Sequence, residues 1–123
     1  MSRIIIVEDD PMIAEIYDRK FTELGFAVLL AENGKQALET IKLKEIDVVL
    51  TDLIMPEMGG LELIKNLCSG EYDPKIKIIV LSNLFDSRDE AIKLGANGFL
   101  AKASFTPTEM VEEVKKILDA QEK

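Results

Sequence analysis

Asp47-Val48-Val49-Leu50-Thr51-Asp52, followed at once by Leu53-Ile54-Met55-Pro56-Glu57-Met58-Gly59-Gly60, is the stretch that sets the architecture of this chain. Its first half is apolar on both faces until the last residues. A strand that shows neither face to water belongs inside a parallel sheet covered by helices. Pro56 and Gly59-Gly60 then bend the chain into a helix carrying Leu61, Ile64 and Leu67 inward.

The same alternation of strand and helix extends in both directions. Upstream, the β-branched run Arg3–Val7 reads as the first strand. Asp10 then Pro11 is a helix cap followed by proline at the first helical position. Ile13, Ile16, Tyr17, Phe21 and Leu24 share one face of that helix, and Gly25 stops it. Residues 26–30 form the second strand, and Asn33-Gly34 opens a helix with Ala37, Leu38 and Ile41 inward. Downstream, 75–81 is the fourth strand. Ser87 with Glu90 reads as a capping box for a helix that Gly95 ends, and 98–101 is a short fifth strand. Thr106-Pro107-Thr108-Glu109 is a second box, opening a helix with Met110, Val111, Val114, Ile117 and Leu118 inward. Five such units predict an open α/β fold with helices on both faces of a parallel sheet.

The chain has 123 residues, which suits one domain. With 47% hydrophobic and 31% charged residues it can build one core and is too apolar for disorder. A net charge of −8 makes nucleic acid and anionic lipid poor direct partners. The short apolar start, turning acidic at Glu8, argues for a folded strand in a cytoplasmic protein rather than a leader, and no run is long enough to span a membrane. Cys68 is the only cysteine, expected to pack in the core. The absence of histidine removes Ser-His-Asp and Cys-His catalysis and any histidine-based zinc site.

In open parallel sheets, ligands gather at the carboxyl ends of the strands. Glu8 and Asp9 end the first strand, Asp52 the third, Ser82 the fourth and Lys102 the fifth. Taken singly, each has a plainer role as a cap, a strand end or a loop residue. Together they predict three carboxylates, a hydroxyl and an ammonium around one pocket. Crowded carboxylates need a cation, and hard oxygen ligands favour Mg²⁺ or Mn²⁺.

The segment Asp52-x-x-Met55-Pro56-x-Met58-x-Gly60 resembles the receiver domain of response regulators. So do the acidic pair Glu8-Asp9, Ser82 after Ile78-Ile79-Val80-Leu81, and Gly95-Ala96-Asn97-Gly98-Phe99-Leu100-Ala101-Lys102. The resemblance covers essentially the whole chain. It implies a flavodoxin-like receiver fold, five parallel strands in the order 2-1-3-4-5, as a single domain over 1–123 with no output domain. It implies that Asp52 accepts a phosphoryl group from a histidine kinase or phosphotransfer protein. Mg²⁺ would be held by Asp9, Glu8, Asp52 and the backbone carbonyl of Ile54. Lys102, Ser82, Asn83 and Phe99 would bind the phosphoryl group or respond to it. The fourth helix, fifth strand and fifth helix would then change to bind a downstream partner, as a monomer or a phosphorylation-linked dimer.

Two positions depart from the family. Ala103 stands where most members have proline, so the Lys102-Ala103 bond is either still cis, the form favoured here because Lys102 must be aimed into the pocket, or trans in a rebuilt loop. Asn83 stands where a small residue is usual; its bulk narrows access or its amide binds phosphate. Apolar Ile54 and Leu84, at positions that tune hydrolysis, predict slow self-dephosphorylation. The rival to the switch is a degenerate receiver, a protein-binding module that works without phosphorylation.

Overall fold

The computed structural model describes residues 2–83 and 85–121. The elements run β1 (Arg3–Val7), α1 (Pro11–Glu23), β2 (Ala27–Ala31), α2 (Gly34–Leu43), β3 (Val48–Thr51), α3 (Gly60–Leu67), β4 (Lys77–Leu81), α4 (Arg88–Leu94), β5 (Gly98–Leu100) and α5 (Pro107–Gln121). Short 3₁₀ turns lie at Phe85–Ser87 and Lys102–Ser104. The five strands pair in the order β2-β1-β3-β4-β5, every pair parallel, so the expected sheet is observed.

Successive strand residues point to opposite faces, and this period of two divides the core. Ile5, Val7, Val49, Ile78 and Val80 pack with Ala37, Ile41, Leu63, Ile64 and Ala91 on the side of α2, α3 and α4. Ile4, Ile6, Val48, Leu50, Ile79 and Leu81 pack with Tyr17, Phe21, Met110, Val111 and Val114 on the side of α1 and α5. Burying a side chain of this size is worth about 1.5–3 kcal/mol, so the central strands anchor the sheet.

The helix starts follow the local chemistry. Asp10 Oδ1 accepts the N–H of Met12 at 2.9 Å and of Ile13 at 3.4 Å. Asn33 Oδ1 accepts from Gln36 at 2.9 Å, and Thr106 and Glu109 exchange bonds of 3.2 and 2.9 Å as a capping box.

Several local expectations give way. Ser87 makes no side-chain cap, because its backbone is already helical (φ −92°, ψ −2°) at the end of a 3₁₀ turn. Ile16 is 50% exposed, since α1 meets the sheet along Ala14, Tyr17 and Phe21. Cys68 is exposed rather than in the core, because α3 ends at Leu67. It lies against Gly95, where a Cβ would come within 2.5 Å of its Sγ. Phe26 precedes β2 instead of opening it; its ring packs edge-on to Phe21 at 5.1 Å and its N–H bonds back to Phe21 O. β4 starts at Lys77 because Lys75 belongs to a turn, its N–H bonded to Asp73 Oδ1.

The carboxyl edge is held by close backbone approach. Asp52 N–H reaches Val7 O at 3.2 Å, and Gly60 N–H reaches Leu53 O at 2.9 Å. A Cβ on Gly60 would overlap the carbonyl oxygen of Asp52 and approach Leu53 Cα to 2.9 Å, so the glycine lets α3 begin directly beneath residue 52.

Candidate functional site

Glu8 and Asp52 follow the last residues of β1 and β3, which pair directly, with Val7 opposite Thr51. Both carboxylates therefore emerge from the same edge of the sheet. Lys102 arrives from the far side, two residues beyond β5. Its Nζ lies 2.6 Å from Asp52 Oδ2 and 3.3 Å from each carboxylate oxygen of Glu8. One ammonium is thus shared by two acids separated from it by 50 and 94 residues in sequence. The other oxygen of Asp52, Oδ1, accepts the N–H of Leu53 at 2.7 Å.

The cluster lies largely out of water. Glu8 is 6% exposed, and the side chains of Asp52 and Lys102 are 16% and 19% exposed. Burial raises the pKa of Glu8; Lys102 opposes that rise, while the charges of Asp52 and Asp9 add to it. For Lys102, burial lowers the pKa, but its hydrogen bond and charge attraction to Asp52, then to Glu8, outweigh this and leave it raised.

Asp9 is exposed, although its charge is felt at Glu8. Ser82 is buried at the end of β4, its N–H bonded to Leu100 O at 3.0 Å. Phe99 is half-buried against the α2–α4 core, and Ile54 is 67% exposed in the loop after Asp52. Leu84 lies outside the described residues. Asn83 is exposed, and its Oδ1 accepts the N–H of Ala103 at 2.9 Å.

The Lys102-Ala103 bond is trans, the rebuilt-loop alternative rather than the favoured cis form. A tight 3₁₀ turn at Lys102–Ser104, closed by Ser104 N–H to Ala101 O at 3.1 Å, already sends Lys102 back into the pocket. No cis bond is needed to aim it.

Sequence reasoning missed Tyr17. Its helical spacing marked it as core, and it is 8% exposed. It lines the same cavity as Lys102, and burial raises its pKa, with Lys102 opposing that rise and Glu8 and Asp52 adding to it. A spacing pattern on α1 carries no trace of residues on other elements.

All the side-chain donors at this edge are oxygens, and Lys102 already offsets part of their charge. That chemistry suits a hard divalent cation such as Mg²⁺. Among the described residues no three acidic side chains stand close enough together to be a ready-made cage.

An open parallel sheet with ionisable side chains gathered at its carboxyl edge is the ligand-site arrangement of doubly wound α/β proteins. Residues 4–115 match the response regulator receiver domain, and the chain belongs to that family. It is 36% identical over 118 residues to the chemotaxis protein CheY of Thermotoga maritima, covering 94% of this chain and 96% of that protein. It is 30% identical to the response regulator MprA of Mycolicibacterium vanbaalenii, covering 94% of this chain but 50% of that longer protein. Among solved structures, a CheY-like receiver domain protein from Methanospirillum hungatei superposes with TM-score 0.88 at 26% identity, over 99% and 97% of the two chains. The response regulator TrrA of Thermotoga maritima, in complex with Mg²⁺–BeF, superposes with TM-score 0.83 at 32% identity, over 95% and 99%. Receiver domains are signalling modules of two-component systems that interact with histidine kinases and downstream effectors and generally bind Mg²⁺. Among the described residues no helix is long and apolar enough to cross a membrane.

Proposed function

We propose that this protein is a phosphorylation-dependent switch in which Asp52 accepts a phosphoryl group from a histidine kinase or histidine phosphotransfer protein. The observation that carries this reading is the 2.6 Å contact of Lys102 Nζ with Asp52 Oδ2 inside a desolvated acid cluster. A carboxylate held next to a fixed cation can take up a phosphoryl group without being left beside uncompensated charge.

A carboxylate oxygen of Asp52 attacks phosphorus, the bond from phosphorus to the donor breaks, and the electron pair leaves with the donor. Leu53 N–H on Oδ1 fixes the orientation of the carboxylate during the attack. Lys102 exchanges its contact with Oδ2 for the incoming phosphoryl oxygens. Mg²⁺, or Mn²⁺ in its place, would neutralise charge between carboxylates and phosphoryl group when held by Glu8, Asp9, Asp52 and the Ile54 carbonyl. The Mg²⁺–BeF complex of TrrA supports carrying this over by family likeness.

The product adds about 1.5–2 negative charges at one point. Ser82 and Lys102 interact differently with that charge, and Phe99 sits on the strand between them, so α4, β5 and α5 form the responsive surface for a downstream protein. Exposed, apolar Ile54 shields the acyl phosphate without orienting water, so self-dephosphorylation is slow. The domain acts as a single unit over 1–123 in the cytoplasm, as a monomer or a phosphorylation-linked dimer, without direct contact to nucleic acid or membrane.

One observation favours a second reading, a binding module that is never phosphorylated: the acids form no ready-made metal cage among the described residues. Incubation with acetyl phosphate and Mg²⁺, followed by intact mass measurement, separates the two. The switch gains one phosphoryl group that is absent in Asp52→Asn and persists for minutes or longer. No gain, or the same gain in Asp52→Asn, leaves the binding module.

A further inference from the structure

The two positions that depart from the family pattern, Asn83 and Ala103, touch each other. Ala103 N–H donates to Asn83 Oδ1 at 2.9 Å across 20 residues of sequence. The bond exists only because residue 103 is not proline, which has no N–H to donate. We infer that Asn83 is a positioning residue: it tethers the turn that carries Lys102 and so keeps the ammonium on Asp52.

The turn needs such a tether. The paired part of β5 ends at Leu100, whose carbonyl takes the N–H of Ser82. Beyond that point, among the described residues, the backbone bond within the turn is the 3₁₀ bond from Ser104 N–H to Ala101 O, and Lys102 reaches the acids by its side chain. Ala101 caps the turn without a side-chain hydrogen bond, and Ala103 and Ser104 are exposed. Packing braces the turn at its flank, through Phe105, but not at Ala103 and Ser104. A cavity of about 280 Å³ lies alongside, lined by Ile13, Tyr17, Asn83, Lys102, Ala103 and Pro107 among others. An untethered turn could relax into that space and withdraw Lys102 from Asp52.

Asn83 directly follows Ser82, so the tether joins the loop after β4 to the loop after β5 next to the acid cluster. A displacement of residue 83 is transmitted to Lys102 through one hydrogen bond. The amide oxygen at position 83 therefore acts on the lysine through the turn.

The consequence for phosphoryl uptake rests on the function proposed above; the tether itself does not. The test compares wild type with Asn83→Ala, which loses the acceptor, and Asn83→Asp, which keeps an oxygen there. The first readouts, by NMR on the whole chain, are amide hydrogen exchange of Ala103 and the side-chain resonances of Lys102. Asn83→Ala should keep the circular dichroism of wild type, raise Ala103 exchange about tenfold and shift the Lys102 resonances. Asn83→Asp should restore Ala103 protection. Uptake from acetyl phosphate with Mg²⁺ should slow about 2–10-fold in Asn83→Ala, the worth of one hydrogen bond. Unchanged Ala103 exchange or unmoved Lys102 resonances in Asn83→Ala would overturn the tether. So would failure of Asn83→Asp to restore protection. Wild type that takes up no phosphoryl group refutes the proposed function instead, and the NMR readouts still decide the tether.

Discussion

The two ends of the central sheet both carry acids, and they use them in opposite ways. At the amino edge, Asp47 is exposed and accepts the N–H of Arg3 at 2.8 Å, while its own backbone bridges β1 and β4. At the carboxyl edge, Glu8 and Asp52 are largely buried and share one ammonium. Parallel strands leave N–H groups free at their amino ends and C=O groups at their carboxyl ends. A carboxylate at the first edge finds backbone donors; at the second it must be satisfied by a cation or a turn N–H. The same residue type is therefore a local cap at one end and a charged site at the other.

The sharpest way to break this contrast is Asp52→Asn. Phosphoryl uptake from acetyl phosphate, read by intact mass, should fall to background, because the nucleophilic carboxylate is gone. Next in size is Lys102→Ala. It should slow uptake about 100-fold and destabilise the metal-free protein by about 2 kcal/mol at pH 8 in urea unfolding. That loss should shrink as pH falls, because losing Lys102 removes an influence that lowers the pKa of Glu8 and lets it take up a proton more readily.

Glu8→Gln should act in the other direction on stability. Burial raises the folded pKa of Glu8 above its ordinary 4.5. Its contribution to stability is then fully present below that ordinary value and is lost as pH rises through the raised one. Without metal, the variant should gain stability at neutral pH, seen as a rise in Tm, with the gain vanishing below the ordinary pKa of Glu8. Its Mg²⁺ binding, followed by titration, should weaken. The smallest effect belongs to the amino edge. Asp47→Ala should cost about 0.5–1 kcal/mol through the orphaned Arg3 N–H and leave phosphoryl uptake unchanged.

Much of the fold was legible because its rules are local. Asp10 and Asn33 cap their helices as their types and positions require, and the Thr106–Glu109 box forms as written. The Ser87–Glu90 box did not form, because a preceding 3₁₀ turn, set by the chain entering from β4, had already placed Ser87 in helical backbone. Cys68 and Ile16 were misplaced for a related reason: an apolar pattern names a face of a helix but not where the helix stops or how far its face is covered. The acids and the lysine of the candidate site were legible as strand-end residues. Asn83 was legible as a departure near the phosphoryl site but not as the partner of Ala103, and Tyr17 only as core.

Sequence by itself determined which residues alternate across the strands, and hence that Ile4 and Ile6 serve one layer and Ile5 and Val7 the other. It also determined that acids and a lysine stand at strand ends, because periodicity is a property of neighbouring residues. Tertiary structure alone decided that Lys102 sits between Glu8 and Asp52, that the bond after it is trans, and that Asn83 holds the turn. Those outcomes depend on distances between backbones far apart along the chain, which only the paired sheet and its two packed layers fix.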